Sequence, residues 1–264
     1  MKANRFLILG AFLLFIPEVS AQSVTVNFLT NQGILIEGTL GKVMIDGFTM
    51  DEFQNLGVMP TTEIEKAVNS ASPYDNIKWI LATHFHGDHF NPELTSTYLK
   101  NNPDCRLIAT VEVFEKFESL FVEVRDQVLA RELDLFGSSI IIEDGFKIKV
   151  MKMKHLGVSP WKEAENVAFL VEYDGKKILH LGDAAISNEN LQPFNLVEQN
   201  IDLAIVPVWG LDPNNVNLIK LLGAKKVIAA HIPNETSQES IQQFKELFGI
   251  DVFVNAYEDV LYIN

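Results

Sequence analysis

Four side chains that bind divalent metal ions lie within the six residues His84, Phe85, His86, Gly87, Asp88 and His89. Imidazole and carboxylate are borderline-to-hard ligands suited to zinc, and the HxHxDH order packs them densely enough to converge on one point. In a chain with six histidines a chance occurrence of this order is rare, on the order of one in several thousand. The other histidines stand apart: His155 in KHLG, His180 in ILHLGDA and His231 in VIAAHIP. His180 precedes Asp183 by three residues, so on an extended strand the two face opposite sides. His180 is therefore expected to pack or support rather than to bind metal.

The elements that must position these residues follow from the surrounding pattern. The cluster ends an apolar run at 77–82 that reads as a strand, so it sits where a strand gives way to a loop. Upstream, short β-rich runs at 24–28, 34–37 and 42–46 are punctuated by Gly33, Gly38, Gly41 and Gly47, an opening antiparallel meander. Helical periodicity covers 61–70, a helix with Pro92 in its first turn covers 92–100, and 113–135 reads as a long amphipathic helical stretch. A strand at 106–109 lies between the last two. The second half adds strands at 140–142, 146–153, 167–173, 177–181, 203–206 and 226–230, with a hairpin turn at Asp174 and Gly175. A capping box of Thr236 and Glu239 opens a final helix to about 248, and a last β segment covers 260–263. Two strand-rich halves flanked by helices predict an α/β fold, two packed mixed sheets with helices outside, formed by 22–264 as one domain: an αββα sandwich.

The motif, followed by single His, Asp and His residues on successive strand ends, resembles the metallo-β-lactamase superfamily over nearly all of 22–264. The resemblance implies that His84, His86 and His155 bind a first metal ion, that Asp88, His89 and His231 bind a second, and that Asp183 bridges both. Asp46, closing VMID, resembles the family's early aspartate, which supports the histidine loop by hydrogen bonding instead of binding metal. The implied cofactor is a pair of divalent ions of zinc type; two such ions about 3.5 to 4 Å apart hold a bridging hydroxide and polarise a substrate oxygen. Asp88 and Asp183 are the catalytic candidates, Asp88 orienting or deprotonating the nucleophile. His86 stands where di-iron oxygen-reducing relatives place Glu, and Asp183 where β-lactam-cleaving members place Cys or another residue. The expected activity is hydrolysis of a small ester, lactone or phosphodiester, and NFLTNQGILIEGTLGKVMID is similar to a compact lactonase-like branch. A single-iron sulfur oxygenase on the same fold and a non-catalytic metal-binding scaffold stay open as alternatives, separable by metal identity and stoichiometry. Substrate-facing candidates are the loops 48–59, 157–165 with Trp161, and 208–212 with Trp209, although an indole more often packs into a core.

The first residues address the compartment. Lys2 and Arg5 precede an apolar block at 6–16, then Pro17 and Val19-Ser20-Ala21, which resembles a signal-peptidase site. The block's 11 residues fall short of the roughly 20 that a spanning helix needs. Residues 1–21 thus read as a removed signal peptide, which implies a secreted or periplasmic protein without a stable membrane anchor. The single cysteine, Cys105, has no internal disulfide partner and is expected in the core. Without the leader the chain carries 19 basic and 34 acidic side chains, a net charge of −15. That balance disfavours nucleic acid and anionic membranes and leaves a small-molecule substrate as the expected partner. Oligomeric state has no signature in the sequence.

Overall fold

The computed structural model describes residues 24–30, 32–49, 59–210, 213–233, 236–248, 251–252 and 260–263. The segment read as a signal peptide lies outside these residues, as do 50–58 and 211–212 of the two substrate-facing loops.

The meander forms as β1 (Val24–Phe28), β2 (Ile34–Glu37) and β3 (Lys42–Ile45), with Phe28 opposite Ile34 and Ile34 opposite Ile45. There follow α1 (Thr61–Val68), β4 (Ile77–Leu81), α2 (Pro92–Asn101), β5 (Arg106–Thr110), α3 (Val111–Lys116) and β6 (Val128–Arg131). The second half holds β7 (Ser138–Glu143), β8 (Phe146–Lys154), β9 (Glu165–Tyr173), β10 (Lys176–His180), α4 (Asn188–Leu191), β11 (Leu203–Pro207) and β12 (Lys226–Ala230). Then come α5 (Gln238–Phe248), β13 (Asp251–Val252) and β14 (Val260–Ile263).

The strands make two seven-stranded sheets, ordered β14-β1-β2-β3-β4-β5-β6 and β13-β12-β11-β10-β9-β8-β7. Each is antiparallel through its hairpins and turns parallel where helices cross over, at β3 to β6 in one and β10 to β13 in the other. Period-two alternation builds the layer between them: Val24, Val26 and Phe28 of β1 share one apolar cluster with Phe146, Ile148 and Val150 of β8. The outer faces are covered as well, by Leu94, Tyr98 and Leu99 of α2 over β4 and β5, and by Leu191 and Phe248 over β10 to β12. Apolar burial on both faces explains why β11 and β12 read as unbroken hydrophobic runs. The αββα sandwich is thus the observed architecture.

Two details differ from expectation. The stretch at 113–135 is not one helix: α3 stops at Lys116, 3₁₀ turns cover Glu118–Leu120 and Val122–Gln127, and β6 then joins the sheet edge. The open edge of β5 supplies the reason, because Val128 to Arg131 gain parallel ladder bonds opposite Leu107 to Thr110. Gln127 secures the switch by donating from Nε2 to the carbonyls of Leu99, Asn102 and Cys105. Tertiary pairing here outweighs a weak helical periodicity. The cap of α5 is Ser237, whose hydroxyl accepts from the Ser240 amide at 3.1 Å, one residue after the expected Thr236.

This topology sends the candidate ligands to one rim of the sandwich. β3, β4, β8, β10 and β12 all end on the same side, and three of these exits turn sharply through left-handed backbone: Asp46 after β3 (φ 49°), Gly182 after β10 (φ 56°) and His231 after β12 (φ 66°). At Gly182 no other residue fits, since a Cβ would lie 2.6 Å from Asn166 Oδ1 and 2.7 Å from Thr83 Cβ. Left-handed strain and overpacking together should make Gly182→Ala cost about 2 to 5 kcal/mol, measured as a lower denaturant midpoint. An unchanged midpoint would show that the turn relaxes freely.

Candidate metal centre

His84 to His89 leave β4 as a tight loop, with the His89 and Phe90 amides both bonded to the His86 carbonyl. His155 leaves β8 and is held against the exit of β10, where Leu156 N donates to the Asp183 carbonyl at 2.7 Å. Asp183 follows Gly182, and its amide donates at 3.0 Å to Oδ1 of Asn166, a buried asparagine at the start of β9. His231 follows Ala230 at the end of β12.

These exits bring all seven predicted ligands together in overlapping groups. The ligand atoms of His84, His86 and His155 lie within 4.8 Å of one another, as do those of His84, His89 and Asp183, and those of Asp88, His89 and His231. Asp183 faces two ways. Its Oδ1 lies 3.3 Å from His89 Nε2 and 3.4 Å from His231 Nε2, while its Oδ2 lies 3.6 Å from His155 Nε2. Asp88 Oδ2 lies 3.3 Å from His231 Nε2 on the more open side.

The rear nitrogens of three rings are anchored, which decides what the front nitrogens offer. Asp46 accepts from the Thr83 amide at 2.9 Å, from Thr83 Oγ1 at 2.6 Å and from His89 Nδ1 at 2.8 Å. Having donated to Asp46, Thr83 Oγ1 accepts from His84 Nδ1 at 3.0 Å. His155 Nδ1 donates to the Leu156 carbonyl. The Nε2 atoms of His84 and His155 are left buried and without a hydrogen-bond partner among the described residues. Buried nitrogens kept unpaired and aimed at a shared point are what metal ligands require. The residues present therefore fit a pair of divalent ions.

The electrostatics agree. Burial pushes His84 well below its ordinary pKa, and His86 down to about 4 with help from His155 and His89. Burial also lowers His155. These rings are thus neutral at pH 7, the state that binds metal. Burial works against the Asp183 carboxylate, but His231 and His89 more than reverse it and hold the group well below the usual carboxylate range. Burial also works against charge on His89, yet Asp183 and Asp88, with Asp46 behind, hold a proton on it well above the ordinary imidazole range. The carboxylates around His89 thus favour positive charge beside its ring.

Asp46 lies behind the candidate ligands, bonded to Thr83 and His89. His180 stays out of the centre, bonded through Nε2 to the Gln32 carbonyl at 2.8 Å. Trp161 lies against His86, with ring centroids 5.3 Å apart, and Trp209 lies 4.0 Å from His231, each indole partly open to solvent. Three participants were missed: Thr83, Asn166 and Gln32. A polar residue ending an apolar strand was the available signal for Thr83, and an asparagine just before the apolar run 167–171 a weak one for Asn166; Gln32 gave none.

A family profile described as Beta-lactamase superfamily domain matches residues 25–233. A UPF0173 metal-dependent hydrolase of Pyrococcus abyssi is 23% identical over 232 residues, covering 86% of this chain and 92% of that protein. Among solved structures, the metallo hydrolase Igni18 of Ignicoccus hospitalis superposes with a TM-score of 0.65 at 17% identity, covering 92% of this chain and 99% of that one. The metallo-beta-lactamase fold protein YhfI of Bacillus subtilis gives 0.64 at 14% identity, covering 91% and 99%.

Proposed function

This chain belongs to the metallo-β-lactamase superfamily and is a metal-dependent hydrolase, and on that premise we propose that it is a dinuclear zinc enzyme cleaving a small ester, lactone or phosphodiester. His84, His86 and His155 would hold one ion, Asp88, His89 and His231 the other, with Asp183 shared. The carrying observation is that the two oxygens of Asp183 face two different histidine groups. Bound zinc would supply a water whose pKa is lowered to about 7 and a Lewis acid for the substrate oxygen.

The chain's own residues do the rest. Asp46 keeps the proton of His89 on Nδ1, directing the Nε2 lone pair inward once the second proton is lost. Asp88, bordering the open side beside His231, is placed to orient the attacking water and take its proton. Trp161 stands beside His86 and Trp209 beside His231, so a substrate with apolar surface near its scissile bond would meet an indole at either candidate ligand group. The leader reading belongs to the same proposal: residues 1–21 are removed and 22–264 act outside the cytoplasm.

Elemental mass spectrometry of the purified protein, with a screen of lactone, phosphodiester, thioester and β-lactam substrates, tests this reading. About two zinc ions per chain and one active class are expected. One iron without hydrolysis would replace it with the oxygenase, and metal-free, inactive protein would leave a scaffold. Intact mass after expression of the full chain should correspond to a chain beginning at Gln22; retention of Met1 in exported protein would remove the leader reading.

A further inference from the structure

The turn between β1 and β2 carries a side chain that the ligand set does not use. Gln32 is 3% exposed, and its Nε2 lies 3.4 Å from Asp183 Oδ1. A carboxylate only accepts hydrogen bonds, so the amide NH₂ must face Asp183 and Oε1 must point elsewhere. Oε1 is buried and has no hydrogen-bond partner among the described residues. Leaving such an oxygen unpaired is costly, and the cost is repaid when a donor arrives.

The turn is built to hold this residue still. The Gln32 carbonyl accepts from His180 Nε2 at 2.8 Å, and the Gly182 amide donates to His180 Nδ1 at 3.1 Å. Backbone, His180, Gly182, Asp183 and the Gln32 amide thus form a closed circuit, which explains why a fully buried histidine stands beside the centre without entering it. Gly33 docks the turn so closely that a Cβ there would lie 2.5 Å from the Asp46 carbonyl oxygen. Movement of Gln32 is restricted from both sides.

We propose that Gln32 is a further catalytic residue: its Oε1 accepts a hydrogen bond from the water consumed in hydrolysis, while its Nε2 orients Asp183. This rests on the hydrolase reading above. Water is the donor that fits, because Gln32, Asp183, His89 and His231 are all buried and water is the co-substrate a hydrolase must place. One hydrogen of the water bonds to Oε1 and the other passes to Asp88. The water oxygen forms the new bond to carbon or phosphorus, the bond to the leaving oxygen breaks, and the proton held by Asp88 ends on that oxygen.

Two readouts test this. A crystal structure of the zinc-loaded protein should show a water oxygen within about 3.2 Å of Gln32 Oε1; Oε1 bonded to a metal ion or to a protein donor overturns the proposal. In solution, Gln32→Leu removes both polar atoms at similar volume, and Gln32→Asn keeps the amide one carbon short. Assayed on whichever of 4-nitrophenyl acetate or bis(4-nitrophenyl) phosphate the wild-type protein cleaves, both should lose about 10- to 100-fold in kcat, with KM and zinc content unchanged. Wild-type kcat in either variant, or a loss that only follows lost zinc, would overturn it. Should Gln32→Leu not fold, Gln32→Asn decides. If the wild-type protein cleaves neither compound, the ester and phosphodiester part of the proposed function is what fails, and the crystal structure alone judges Gln32.

Discussion

Asp183→Ala should, for the proposed dinuclear zinc site, lower kcat/KM by about 10³-fold or more and reduce bound zinc from two ions towards one, with the sandwich still folded. A loss of that size corresponds to about 4 kcal/mol of transition-state stabilisation. The expectation follows from position: one carboxylate oxygen faces His89 and His231, the other faces His155, so its removal takes a ligand atom from both groups at once. Folding should survive because Asp183 lies beyond the end of β10 and outside the apolar layers that hold the sheets together. Metal content, kcat/KM and far-ultraviolet circular dichroism on the same preparation separate the effects. Wild-type turnover in a variant that keeps two ions would end the shared-carboxylate mechanism.

The second large effect is expected behind the ligands. Asp46→Asn should weaken zinc binding by about 10- to 100-fold, the usual range for groups that orient metal-binding histidines. Asp46 accepts three hydrogen bonds, from Thr83 N, Thr83 Oγ1 and His89 Nδ1, and an asparagine must turn an NH₂ group against one of these donors. Turned against His89, it favours the tautomer whose proton sits on Nε2, where the metal needs a lone pair. Competition with a chromophoric chelator measures the change, and unaltered affinity would relieve Asp46 of this role. The same titration carries a pH signature. The pKa of His89 in the metal-free protein is raised, so below that value zinc must displace a proton, and affinity should fall as pH falls. Equal affinity at pH 6 and pH 8 would contradict a protonated His89.

The sequence by itself determined the types of the candidate ligands, the clustering of four of them and the class of fold. HxHxDH places four candidate ligands within one loop, and local spacing survives any packing that keeps the preceding strand. The alternation in β1 and β8 similarly required an inner apolar face, and unbroken runs such as β11 required cover on both sides. Tertiary structure alone decided what depends on distant partners. Residues 113–135 carry an amphipathic pattern, yet the unpaired edge of β5 drew 128–131 into the sheet, because ladder hydrogen bonds outweigh a marginal helix. Gln32 has no local signature; it matters because folding brings it to Asp183, 151 residues away, and leaves its oxygen buried without a donor. Types and periods are written locally, whereas hydrogen-bond partnership and burial belong to the folded chain as a whole.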